Sequence, residues 1–152
     1  MRLRRELHGL KMIVRPAGEP DFAAWAAMRR RLWPDEDPAE LDRELPGEPG
    51  TIGLVAESEG RLVGFAEASV RNYAEGAAGP AAYLEGIWVE PEHRRRGLAR
   101  ALLAAVEQWG RDLGLAHLGS DALLGNDVSH RWHEAAGFAE VERLVVFGKP
   151  LR

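Results

Sequence analysis

From Gly97 onward the apolar residues Leu98, Leu102, Ala105, Val106, Trp109 and Leu113 recur every three or four positions and stop at Gly114. That period predicts an amphipathic α-helix with one face to bury. Just before it lies Ala81–Val89, apolar and of strand length, with Glu85 and Gly86 at its middle. A strand that passes through one short turn into a long one-faced helix needs a sheet for that helix to cover, which makes this an α/β chain.

The remaining punctuation extends the pattern. Met12 opens a β-like stretch ended by Pro16, and residues 1–11 read as an N-terminal extension ahead of a domain over 12–152. Asp21, followed by Phe22, Trp25, Met28 and Trp33, predicts an N-capped helix stopped by Pro34. A short helix is expected over Pro38–Leu45. Thr51–Glu57 and Arg61–Arg71, separated by Ser-Glu-Gly, read as a hairpin. After the long helix come a strand over Leu115–Ser120, a helix over Asn126–Ala136 stopped by Gly137, and one bent or two short strands in Phe138–Gly148. The order β, α, α, β, β, β, α, β, α, β describes helices around a mixed sheet.

At 152 residues and 16.8 kDa the chain suits one domain. It has no cysteine and its five His show no ligand-like spacing, so neither disulfides nor a metal site is expected. No apolar run has the ~20 residues of a membrane span, and the start lacks a signal peptide's apolar stretch; the expectation is a cytoplasmic protein with no membrane partner. A net charge of −4 argues against a nucleic-acid surface.

Charge is unevenly spread. Residues 35–48 hold seven acids against Arg43 alone, a segment that would attract a cation, whereas Arg94, Arg95, Arg96 and Arg100 cluster with no acid among them. The basic cluster sits in the turn that leads into the helix at Gly97. A helix N-terminus offers unpaired N–H groups and about half a positive charge, so its amides can cradle a phosphate, with Gly97 and Ala99 leaving room and arginines adding charge-assisted hydrogen bonds. The turn lacks the Gly-Lys-Ser/Thr of a P-loop and the Gly-x-Gly-x-x-Gly of a dinucleotide fold, so another phosphate-bearing ligand is needed.

Arg94-x-x-Gly97-x-Ala99 resembles the pyrophosphate loop of the GNAT superfamily of acetyltransferases. Asn126, Ser129, His133, Glu134, Gly137 and Phe138 fall at the spacing of a second GNAT segment, with His133 where many members have tyrosine. Within the superfamily, Arg31-Leu32-Trp33-Pro34, Tyr83-Leu84-Glu85-Gly86-Ile87, Ser120-Asp121 and Gly137-Phe138-Ala139-Glu140-Val141-Glu142-Arg143 look like an aminoglycoside 6'-N-acetyltransferase; Phe147-Gly148-Lys149 departs from that family's more aromatic ending. The resemblance covers residue 12 to the C-terminus. It implies the GNAT (acyl-CoA N-acyltransferase) fold, an α/β architecture with a mixed, mostly antiparallel central sheet flanked by helices.

It further implies acetyl-CoA as co-substrate, lying along Ile87, Trp88 and Val89 as a false strand, with a backbone N–H there polarising the thioester. Arg94, Arg95, Arg96, Gly97, Leu98, Ala99 and Asn126 are the other expected CoA contacts, Asn126 being equally an N-cap. The acceptor would be a small cationic amine, an aminoglycoside held by Trp33, Tyr73, Glu85, Asp121 and Glu142. Transfer needs a neutral amine, so Glu85 and Asp121 are candidate bases and His133 a candidate acid toward the leaving thiolate. Burial mid-strand would raise the Glu85 pKa; an arginine-paired strand carboxylate is the plainer alternative, as turn-capping is for Asp121 and an acid-held helix histidine for His133. A homodimer is implied, with Glu142 completing the partner's site. Transfer to another amine such as a polyamine or peptide, or a module that binds without chemistry, are the competing functions.

Overall fold

The computed structural model describes residues 3–7, 10–43 and 47–152. Six strands form one sheet in chain order: β1 (Leu3–Leu7), β2 (Leu10–Pro16), β3 (Thr51–Ser58), β4 (Arg61–Arg71), β5 (Ala81–Val89) and β6 (Leu118–Ser120). The first five pair antiparallel and β5 pairs parallel to β6, across the crossover of α3 (Leu98–Asp112). The sheet is therefore mixed and mostly antiparallel, as the sequence implies.

One face is covered by α3. Its Leu98, Leu102, Ala105 and Val106 are buried against Leu54, Ala56, Ala66, Ala68 and Leu84, the larger of the two main apolar clusters. The other face carries α1 (Phe22–Leu32) and α2 (Pro38–Arg43), where Trp25, Ala26 and Met28 pack on Val55 and Phe65. Two tryptophans from this layer sit on glycines of the sheet. A Cβ at Gly53 would come 2.3 Å from the Trp25 Cη2, and one at Gly86 would come 2.5 Å from the Trp33 Cζ2. Both strands need glycine there for the indoles to lie flat on the backbone.

The boundaries depart from the sequence reading in several places. Leu3–Leu7 pairs with Leu10–Val14 as an edge strand, so most of the expected extension is part of the sheet, and β2 opens at Leu10 rather than Met12. Asp21 makes no side-chain cap; a 3-10 turn over Glu19–Asp21 leads into α1, and the carboxylate instead takes the Gly18 N–H and the Arg15 guanidinium. The second helix is seen over Pro38–Arg43, and the rest of its expected span lies outside the described residues. β6 begins at Leu118, three residues late.

The largest difference is at the C-terminus. Helix α4 (Asp127–Ala135) ends as expected at the left-handed Gly137, but residues 139–152 form no strand. Val145, Val146, Phe147 and Leu151 are 71–93% exposed. Strand-like composition is not enough: a strand needs an edge to pair with, and no described edge of this chain is in register with the segment.

Candidate acetyl-transfer site

The site begins with a break in the β4–β5 ladder. Ala68 pairs with Leu84 and Glu67 with Gly86, leaving Glu85 as the extra residue of a β-bulge. Cross-strand partners point to the same side, so Tyr83 opposite Ser69 and Trp88 opposite Phe65 share the α1 face although one is odd-numbered and the other even. The bulge switches the parity of β5. Tyr83, Glu85, Gly86 and Trp88 consequently all face the α1 side.

The switch also falls where β5 loses its neighbour. β6 pairs with Ala82, Tyr83 and Leu84 only, so the opposite edge of residues 85–89 has no strand beside it among the described residues. An extended ligand could pair with that edge. Past its end, Gly97 caps α3 at φ 80° with no side-chain cap bond, leaving the first amides of the helix open to an anion.

The expected CoA residues divide accordingly. Ile87, Trp88 and Val89 form the open stretch of β5; Gly97, Leu98 and Ala99 supply the helix start, with the Leu98 side chain buried in the core. Arg94 turns inward: its Nε donates to the Val89 carbonyl at 2.8 Å and its guanidinium lies 4.7 Å from the Trp88 ring centroid, which ties the turn to the strand. Arg95, in a left-handed conformation at φ 60°, and Arg96 are exposed. Asn126 caps α4, its Oδ1 accepting the Ser129 N–H at 3.1 Å.

On the α1 face a cleft of about 680 Å³ opens between α1, α2 and strands β3–β5. Its lining includes Trp33 and Glu85 from the sequence reading, with Glu36, Glu40 and Glu48 from the acidic segment. It also includes Trp25, Arg29 and Glu67, which sequence reasoning passed over. Glu67 accepts the Trp25 Nε1–H at 2.9 Å and pairs with the Arg29 Nε at 2.7 Å, while Arg29, 3% exposed, donates to the Leu41 carbonyl and lies over Trp33. A single arginine thus ties both indoles and α2 to one carboxylate. An arginine at a buried-face position of a helix that also carries Trp25 and Trp33 was the available signal.

Glu85 is exposed, so the burial expected to raise its pKa is absent, and the arginine-paired alternative describes its surroundings. Its Oε1 accepts from the Ser69 hydroxyl at 2.5 Å and the Arg71 Nε at 3.0 Å, and its Oε2 from the Arg71 Nη2 at 2.7 Å. Asp121 caps no turn; its Oδ2 accepts the Tyr83 hydroxyl at 2.6 Å. His133 has no acidic partner. Its Nδ1 lies 2.7 Å from the Ser129 carbonyl and its Nε2 2.8 Å from the Ser120 hydroxyl. The carbonyl requires a hydrogen on Nδ1, so the neutral ring accepts at Nε2 and only the imidazolium can donate there. Tyr73 is 69% exposed, Glu142 sits on the exposed C-terminal segment, and neither lines the cleft.

An acid-lined cleft at the bulge, an open strand edge running on from it and a bare helix start beyond that edge make an acyltransferase layout. The sequence profile described as the Acetyltransferase (GNAT) family matches residues 21–138, and the chain belongs to that family. It is 43% identical over 142 residues to aminoglycoside N(6')-acetyltransferase type 1 of Stenotrophomonas maltophilia, covering 91% of this chain and 93% of that one. The crystal structure of aminoglycoside 6'-N-acetyltransferase AAC(6')-Ih from Acinetobacter baumannii superposes with TM-score 0.85 at 38% identity, over 93% of this chain and 99% of that one. AAC(6')-Iy in complex with a bisubstrate analogue, CoA-S-monomethyl-acetylneamine, superposes with TM-score 0.84 at 33% identity, over 92% and 99%.

Proposed function

We propose that this protein transfers the acetyl group of acetyl-CoA to the 6'-amine of an aminoglycoside, by direct attack while both substrates are bound. The observation that carries the reading is Glu85 at the β5 bulge, where the acid-lined cleft meets the strand edge that β6 leaves open. The relatives support the same substrate pair: the curated ones are named for aminoglycoside acetylation, and one solved neighbour holds both halves as a single molecule.

A polyamine such as an aminoglycoside arrives as a set of ammonium groups. Glu36, Glu40, Glu48 and Glu85 attract it, and Trp33 offers an aromatic face. The reacting nitrogen must shed a proton before it can attack, and Glu85 or Asp121 takes it, directly or through a water. Amides of residues 87–89 polarise the thioester carbonyl and stabilise the oxyanion that forms. As the carbon–sulfur bond breaks, His133 in its imidazolium form supplies a proton toward the thiolate, by way of the Ser120 hydroxyl that its Nε2 faces. Gly97, Leu98 and Ala99 hold the diphosphate through their backbone, with Arg95 and Arg96 alongside.

The same reading includes a homodimer in the cytoplasm. The C-terminal segment exposes Val145, Val146, Phe147 and Leu151, and a second copy would cover them and bring Tyr73 and Glu142 into a completed site. No helix among the described residues is long and apolar enough to cross a membrane. Thiol release with purified protein tests the reaction: turnover of kanamycin or tobramycin, with the product acetylated at the 6'-nitrogen by NMR, is expected. Turnover of polyamines or peptides alone would replace the substrate, and binding without thiol release would remove the chemistry. Light scattering should give twice the 16.8 kDa chain mass; a monomer would sink the dimer.

A further inference from the structure

Glu85 lies on β5 and Asp121 just past the end of β6, yet a continuous set of contacts joins them. Arg71 grips both oxygens of Glu85 and lays its guanidinium 3.5 Å from the centroid of the Tyr83 ring. Tyr83 in turn donates its hydroxyl to Asp121 at 2.6 Å. The ring has little freedom: it is 5% exposed, Ala74 packs beside it, and a Cβ at Gly119 of β6 would come 2.8 Å from its Cδ2.

We propose that Tyr83 is a positioning residue for acetyl transfer, holding Asp121 as an oriented anion through its hydroxyl and coupling it through Arg71 to Glu85. This deepens the acceptor-site reading above and rests on it. Burial and then the bond to Asp121 push the Tyr83 phenol well above the usual tyrosine range, so the phenol stays a donor at every working pH, and Glu85 likewise holds the Arg71 guanidinium above its usual range. Among the described residues, Tyr83 of β5 and Arg71 of β4 act on Asp121; Glu75 of the β4–β5 loop acts on Tyr83, Glu85 of β5 on Arg71, and His133 of α4 meets Ser120, the neighbour of Asp121 in the chain.

Two measurements test the coupling without any turnover. In the parent and in Tyr83→Phe, the Asp121 carboxylate is followed by carbon-13 NMR at neutral pH, its signal assigned with Asp121→Asn. Loss of the phenol should move that signal, because the hydrogen bond that polarises the carboxylate is gone; an unmoved signal overturns the proposal. Reciprocally, in a Tyr73→Phe background, where Tyr83 is the only phenol left, Asp121→Asn should let Tyr83 ionise at lower pH by ultraviolet absorbance. An unmoved phenol also overturns it, and this arm stands even where Tyr83→Phe fails to fold. A third measurement uses activity. With kanamycin, kcat should be about tenfold lower in Tyr83→Phe and the KM for acetyl-CoA unchanged; a parental kcat overturns the positioning role. A parent enzyme inactive on every aminoglycoside would sink the proposed function, leaving the two spectroscopic measurements to decide the coupling.

Discussion

Two of the arginine–carboxylate clusters on this sheet have opposite characters. Near the start of α1, Arg15 bonds both oxygens of Asp21 at 2.7 and 2.8 Å and also reaches Glu57 at 3.3 Å, while the Gly18 N–H closes the remaining approach to Asp21. Its Asp21 side chain is 9% exposed. At the bulge, Arg71 grips Glu85 with almost the same geometry, but the Glu85 side chain is 32% exposed and opens on the cleft. The difference lies in what surrounds each pair. Each carboxylate accepts three hydrogen bonds from the fold, so exposure separates them: an enclosed carboxylate can only stabilise the fold, whereas one with a face left to solvent can also receive a ligand.

The largest expected effect that would break this contrast is Glu85→Gln. It should lower kcat/KM for an aminoglycoside about 100-fold or more, leave coenzyme A affinity by calorimetry unchanged, and barely move the melting temperature. A variant with parental kinetics would make Glu85 as structural as Asp21. Next, Gly97→Val tests the other half of the site. The left-handed backbone at φ 80° costs a β-branched residue about 1–2 kcal/mol, and distortion of the helix start should weaken coenzyme A at least about tenfold in the same calorimetry; an unaltered Kd would detach the turn from the diphosphate. The smallest effect on activity belongs to Asp21→Asn. It should cost about 2 kcal/mol of stability, about 4–8 °C in melting temperature, with kcat/KM at the parental value.

The same cluster has a pH signature. The bond from Arg15 holds the Asp21 carboxyl below its ordinary range, so its stabilisation is fully present above the unfolded value near pH 4 and is lost as pH falls through the lower folded value. Melts between pH 6 and pH 2 should show the gap between parent and Asp21→Asn closing at the acid end. A gap that holds constant would mean that the charge of Asp21 contributes nothing.

Legibility in the sequence followed the range of the interactions. Strand β5 and helix α3 were readable to within a residue because their period and their glycines are local signals. The acidic run pointed to a cation-attracting wall that the cleft contains. The partners were not readable. That Arg71 would take Glu85, or Tyr83 take Asp121, depends on which strands lie side by side and on a parity switch that period-two reasoning does not anticipate. Strand composition misled at Val145–Phe147, which pair with no strand among the described residues.

The parity switch in β5 has a consequence for how this enzyme can change. Substitutions along Ala81–Val89 alter one side chain at a time, but losing or gaining a single residue there would rotate everything downstream by half a turn. Trp88 would be sent to the α3 layer and Val89 to the α1 layer. Evolution and laboratory libraries alike can vary the letters of this strand away from Glu85 and Gly86, and are bound to keep its length.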